Sequence, residues 1–163
     1  MRCGGVSETL PTETSSAAPT IRRLAYSDLP AVIAIERRSF PAPWSLAMFV
    51  LELSKPSGIC LAASAGDELL GYVICSRYDQ VWHLMNVAVA PERRRAGVAN
   101  GLISRLLEES SGEDRPELPV TLEVRVSNRE AIAMYEGLGF RSAGVRPRYY
   151  QDNGEDALIM WLD

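Results

Sequence analysis

The apolar run Leu84-Met85-Asn86-Val87-Ala88-Val89-Ala90 reaches a turn at Pro91, and Arg94-Arg95-Ala96-Gly97-Val98-Ala99 then leads into the helix-forming stretch Leu102 to Leu107. This is a strand, a turn and a helix start, the kind of unit from which layered α/β folds are built. The opening turn of a helix carries N–H groups with no intrahelical partner and the positive end of the helix dipole, which together make an anion site. Small residues at Ala96, Gly97 and Ala99 keep that site accessible, so a diphosphate could lie directly on the backbone.

Two other phosphate loops are excluded. A P-loop needs Gly-Lys-Ser/Thr at the helix start, and the dinucleotide fingerprint needs G-x-G-x-x-G opening a βαβ unit. Here Gly97 to Gly101 reads G-x-A-x-G, and the only lysine of the chain is Lys55, followed by Pro56. A single lysine also removes most Schiff-base chemistry. Arg93-Arg94-Arg95 reads as a solvated turn or as a nucleic-acid patch. Against the patch, the net charge is -4 and no second basic cluster accompanies it, whereas nucleic-acid binders show a wider basic face.

With 163 residues and 23% charged side chains, the chain suits one ordinary domain with a proper core. Residues 1–19 stand apart, rich in Ser, Thr, Gly, Ala and Pro, and are expected to form a flexible tail, leaving 20–163 as the folded domain. No apolar stretch follows a basic start as in a secretory signal, and no run approaches the roughly 20 apolar residues of a membrane span. Cys3, Cys60 and Cys75 are odd in number and form no C-x-x-C pair. Neither a disulfide framework nor a zinc site is suggested, and a reducing cytoplasm fits best. His83 is the only histidine, so no metal is expected.

Along the chain, Thr20 to Leu24 suits a first strand, and Ser27 is placed to cap a helix carrying Leu29, Val32, Ile33 and Phe40. Phe40-Pro41-Ala42-Pro43-Trp44 is a rigid loop, and Ser45 should cap a second helix with Leu46, Phe49, Val50 and Leu53 inward, ending before Pro56. Ile59 to Ala65 and Leu69 to Tyr78 flank a Gly66-Asp67 turn, and Val81 to Ala90 continues the antiparallel order. A long helix follows over Val98 to Ser110. Val120 to Val126 alternates Leu122, Val124 and Val126 with Thr121, Glu123 and Arg125, so Glu123 points away from the aliphatic face. Ser127 and Glu130 have capping-box spacing ahead of a helix ending near Gly139. Phe140 to Tyr149 and Ala157 to Trp161 supply the last strands. The expected order is β-α-α-β-β-β-α-β-α-β-β, an α/β fold with ligand at the strand C-termini.

Asn128 and Tyr135 are seven residues apart, about 10 Å along a helix axis and on one face, with Glu123 entering from the preceding strand. Each also has a plain structural explanation: Asn128 as a helix-start residue, Tyr135 as a core ring, Glu123 as a partner of Arg125. Taken together, these residues resemble the GCN5-related N-acetyltransferases, and within them the RimI-type ribosomal-protein N-terminal acetyltransferases. The carriers are Asn86 to Pro91, the Arg94 to Ala99 loop, Leu122 to Asn128, Ala131 to Phe140, Phe40-Pro41, Trp44 and Tyr149-Tyr150. The resemblance runs from Thr20 to the C-terminus. It implies a mixed sheet of about seven strands flanked by about four helices, with a splayed cleft between the fourth and fifth strands.

The resemblance further implies a coenzyme A diphosphate on Arg94, Arg95, Ala96, Gly97, Val98 and Ala99, where Ala99 replaces the commoner second glycine. Pantetheine would pair along Val87, Ala88 and Val89 as an added strand, with Asn128 contacting its arm. Acetyl-CoA is then the co-substrate. Glu123 is the expected base, through water, and Tyr135 the acid for the departing thiolate, since a phenol of pKa near 10 keeps its proton at neutral pH. His83 is a rival base. Trp44, Tyr149 and Tyr150 would form the peptide groove or, alternatively, pack as ordinary aromatics. The implied acceptor is the N-terminal alanine of small-subunit ribosomal protein eighteen, acetylated in the cytoplasm by a monomer or weak homodimer without direct nucleic-acid or membrane partners. A lysine or small-molecule acetyltransferase and a silent acyl-CoA-binding module are the competing readings.

Overall fold

Apolar runs bounded by turn residues become strands here, and runs with apolar side chains three and four apart become helices. The computed structural model describes residues 18–114 and 116–163. It runs β1 (Thr20–Arg23), α1 (Leu29–Ser39), α2 (Leu46–Ser54), β2 (Ile59–Ala65), β3 (Glu68–Tyr78), β4 (Val81–Val89), α3 (Val98–Ser110), β5 (Val120–Arg125), α4 (Arg129–Gly137), β6 (Arg141–Arg146) and β7 (Ala157–Leu162). The expected order is observed. The expected tail, residues 1–19, lies outside the described residues except for Ala18 and Pro19, which are exposed.

One sheet takes all these strands in the order β1-β2-β3-β4-β5-β7-β6. Neighbours are antiparallel except β4 and β5, which run parallel. That parallel contact is brief. Only Trp82 with Val120 and His83 with Thr121 stand in register, and Trp82 N–H donates to Pro119 O at 2.9 Å. Beyond them the facing sides of Leu84–Val89 and Leu122–Arg125 part, opening the cleft expected between the fourth and fifth strands toward the C-terminal ends of both.

A bulge in β4 aims its side chains. Leu84 pairs with Cys75 and Asn86 with Ile74, which leaves Met85 as the extra residue. An inserted residue reverses which side chains face which layer. Before it, Trp82 and Leu84 join the core under α3 and α4, with Leu102, Ile103, Leu106, Leu122, Val124 and Phe140. After it, Val87 and Val89 face that core, while Ala88 and Ala90 turn to the opposite one, formed by Leu29, Val32, Ile35 and Phe49 over Cys60, Ala62, Tyr72 and Ile74. Asn86 turns the same way and meets a buried carboxyl group. Glu36 of α1, 1% exposed, accepts from Asn86 Nδ2 at 2.9 Å, from the Trp44 N–H at 3.0 Å and from the Tyr72 hydroxyl. One side chain thus ties α1, the loop before α2, β3 and the bulge of β4.

Four local expectations need correction. Ser27 is no cap: it lies within a 3-10 turn, Tyr26–Asp28, and the Asp28 carboxylate takes the Ala25 N–H at 2.8 Å and both arms of Arg22. Ser127 is no cap either, because Asn128 takes that position and accepts from Ala131 N–H at 3.2 Å. Ser45 does cap α2, and Phe49 is buried, yet Leu46 and Val50 are exposed. The stripe α2 buries is Phe49 and Glu52, the latter accepting from Ser76 Oγ and from Lys55 Nζ at 2.8 Å; these polar anchors fix the rotation of the helix. The expected strand Phe140 to Tyr149 stops at Arg146.

Replacing Glu36 by Ala leaves three buried donors unpaired. Leaving buried donors unsatisfied costs about 1 to 3 kcal/mol, so Glu36→Ala should lower the unfolding free energy by that amount in a urea titration.

Candidate functional site

The cleft is framed on one side by β4 and the start of α3. Gly97 is the N-cap of α3, with φ of 78° and no side-chain cap. A Cβ added there would meet nothing within 4 Å, so a ligand can approach the backbone. Gly101 N–H is the first helical amide with a carbonyl one turn back, reaching Gly97 O at 2.9 Å; the amides of Val98, Ala99 and Asn100 precede it and point out of the helix end. Arg95 supports the turn with a φ of 64°, and Ala96 links it to Gly97.

The three adjacent arginines serve different ends. Arg93 pairs with Glu68 at 2.7 Å. Arg94 donates to Val89 O and to Ser39 Oγ, both at 3.2 Å, which braces the loop on β4. Arg95, with 84% of its side chain exposed, lies 3.5 Å from Glu130 at the start of α4, a fully solvated contact of small energetic weight.

Backbone alternation sets what β4 offers to the cleft. Ala90 N–H donates to Leu70 O at 2.8 Å on the β3 side. Successive strand amides point to opposite edges, so the N–H groups of Val89 and Val87 face the cleft and that of Ala88 faces β3. The β3 partner of Val89 is Gly71, where an added Cβ would lie 2.7 Å from Ala88 O. Only a glycine lets the two strands meet this closely.

Across the opening, β5 and α4 contribute Glu123, Asn128 and Tyr135. Glu123 is partly exposed and turned away from the core that holds Leu122 and Val124, as the alternation implied. Its ion-pair partner is Arg146 of β6 at 3.6 Å rather than Arg125. Tyr135 is 5% exposed and packs edge-on against Phe140, with ring centroids 5.7 Å apart. Burial first, and then the charge of Tyr150, raises its phenol above the ordinary value. Asn128 spends its Oδ1 on capping α4, so its structural explanation is true, and the residue is exposed.

The aromatic candidates fall into two groups. Tyr149, exposed, and Tyr150, half-buried, meet edge-on at 5.1 Å. Glu123 raises the pKa of both through its charge, after burial as the larger cause, and Tyr150 is pushed up to about 12. Geometry ties this pair to β5: the guanidinium of Arg125, two residues on from Glu123, lies 3.9 Å from the centre of the Tyr150 ring. Trp44 packs on Phe49 with centroids 5.2 Å apart and is held by its N–H on Glu36. His83, paired in register with Ser76 and Thr121, lies edge-on to Tyr78 at 5.3 Å. Sequence reasoning missed Glu36 and Arg146. For Glu36 the signal was present: an acid four residues after Val32, on the apolar face of an amphipathic helix.

Comparison with known proteins now bears on this arrangement. A profile of the Acetyltransferase (GNAT) family matches residues 29–140. The [ribosomal protein bS18]-alanine N-acetyltransferase of Salmonella typhimurium is 37% identical over 145 residues, covering 88% of this chain and 96% of that protein. The N-alpha-acetyltransferase RimI of Mycobacterium tuberculosis is 32% identical, covering 88% and 92%. Among solved structures, the ribosomal-protein-S18-alanine N-acetyltransferase from Escherichia coli superposes with a TM-score of 0.78 at 33% identity, covering 88% of this chain and 92% of that one.

The raised tyrosines make a pH prediction. A folded-state pKa above the unfolded value of about 10 gives stability that is full below pH 10 and lost as pH climbs past it, because the unfolded chain ionises first. Denaturant unfolding at about pH 9 and about pH 11 should show that loss, and Tyr135→Phe should make it shallower.

Proposed function

The chain belongs to the acetyltransferase (GNAT) family, and from that premise we propose that it is a protein Nα-acetyltransferase using acetyl-CoA, with the N-terminal alanine of ribosomal protein bS18 as its acceptor and the cytoplasm as its place of work. The observation that carries the proposal is the parting of β4 from β5 after two residue pairs, which leaves a strand edge, a helix start and Glu123 around one opening. The names of relatives at 37% and 33% identity support the choice of acceptor.

Acetyl-CoA supplies an acyl group activated as a thioester. The amides of Val98 and Ala99, with Ala96 and Gly97 giving backbone access and Arg95 at the rim, hold its diphosphate; Arg94 keeps that loop on β4. Val87, Ala88 and Val89 present the strand edge to the pantetheine, and Asn128 adds its amide. The two cleft-facing amides polarise the carbonyl, a role in which one donor elsewhere supplies about 3 to 4 kcal/mol. Glu123 takes the proton of the attacking amine through water, and Tyr135, kept protonated by burial, returns one to the leaving sulfur. Trp44, Tyr149 and Tyr150 line the acceptor side.

An α-amino group titrates near 7.7 to 8.0 and a lysine near 10.4, a difference of roughly 3.5 kcal/mol in the cost of the neutral amine. A carboxylate acting through water suits the first better than the second.

Peptides differing at their first residue, an internal-lysine peptide and simple amines, each incubated with acetyl-CoA and read by mass spectrometry, test the acceptor. Acetylation is expected on the N-terminal alanine peptide; products confined to lysine or small amines would refute the proposal. Tyr135→Phe should lower kcat about 100-fold with little change in cofactor affinity, and full turnover would remove Tyr135 as the acid. Coenzyme A at about 100 times its Kd should add about 2.7 kcal/mol of stability, visible as a raised Tm.

A further inference from the structure

The loop joining β6 to β7, residues 147–156, carries both tyrosines of the acceptor side. None of its residues is buried, and a segment with so little apolar contact opens locally unless polar contacts hold it. Beside the backbone N–H groups of Val126 and Ser127, which bond Asp156 O and Glu155 Oε2, the side-chain contacts that hold it from β5 converge on one residue. Arg125, the last residue of β5, places Nη2 3.0 Å from each carboxylate oxygen of Asp152. Its Nη1 donates to Asn153 Oδ1 at 3.2 Å and to Glu155 Oε1 at 3.5 Å. Its guanidinium carbon sits 3.9 Å above the centre of the Tyr150 ring. Three polar anchors within four residues and a stacked ring thus share one planar fork, with 24% of the arginine side chain exposed. A lysine, with a single point charge and no plane, cannot make this set of contacts.

The position of this fork is informative. Two residues along a strand keep the same face, about 7 Å away, so Arg125 stands beside Glu123. Its removal would leave Asp152 and Glu155 without their arginine beside the tyrosines, while Glu123 keeps Arg146. The cofactor side has an anchor of its own: Asn128 caps α4 through the Ala131 N–H, a bond that involves neither Arg125 nor the loop, whereas Glu155 is shared, its Oε1 facing Arg125 and its Oε2 accepting from Ser127 N–H at 3.1 Å.

We infer that Arg125 is a positioning residue for acceptor recognition, clamping the β6–β7 loop so that Tyr149 and Tyr150 face the acceptor beside Glu123. The inference rests on the acceptor side assigned under Proposed function. It separates two jobs on one strand: Glu123 meets the reacting amine, and Arg125 holds the wall against which the rest of the peptide lies.

The test uses the full chain with Arg125→Met, which keeps length and apolar cover over Tyr150, and Arg125→Lys, which keeps charge. In steady-state kinetics the peptide KM should rise about tenfold in Arg125→Met, while kcat and the acetyl-CoA KM stay within about twofold. Arg125→Lys should recover only part of the loss. A second measurement needs no substrate: Arg148 is exposed in the loop, and native-state trypsin should cut there about tenfold faster in Arg125→Met at an unchanged Tm. Unchanged cleavage at Arg148, an equal rise in the acetyl-CoA KM, or full rescue by lysine would overturn the inference. Faster cleavage in a chain that acetylates no peptide N-terminus would uphold the clamp and refute the acceptor reading.

Discussion

The short parallel contact between β4 and β5 is the constraint on which the rest depends. Two residue pairs, Trp82 with Val120 and His83 with Thr121, join the antiparallel half β1 to β4 to the half formed by β5, β7 and β6. A longer contact would close the sheet and pair every amide of β4. A shorter one would leave the halves connected only through helix packing. Because parallel strands point the same way, their parting opens at both C-terminal ends, the place where open α/β sheets take their ligands.

What the opening exposes is set by the other side of β4. The bulge at Met85 turns Val87 and Val89 to the α3 face and Asn86 toward Glu36. Glu36 also holds the N–H of Trp44, so one buried carboxyl group fixes both the strand edge and the loop entering α2. Gly71 draws β3 against the same segment. These contacts hold the cleft-facing edge of β4 rigid at the expense of burying a polar network.

Arginines around the cleft divide the work between rim and frame. Arg94 braces the helix start, Arg146 accompanies Glu123, and Arg125 gathers the acids of the last loop. The charges of Arg146 and Arg125 are matched by carboxylates, which agrees with a chain of net charge -4 and argues against a broad basic face. Tyr135, by contrast, packs on Phe140, and burial raises its phenol above the ordinary value.

The sequence by itself determined the element order, the helix start at Gly97, the alternation that turns Glu123 from the core, and the family. Those follow from local periods, small residues and motif spacing, which are written in consecutive positions. The tertiary structure decided which of Ser127 and Asn128 caps α4, why Leu46 and Val50 face solvent, and which charges meet: Glu123 with Arg146, Arg125 with Asp152 and Glu155. It also decided the bulge at Met85 and the network at Glu36. Residues 36, 72 and 86 lie on three elements far apart in the chain, and no spacing in a linear sequence records that packing brings their polar atoms within hydrogen-bonding distance.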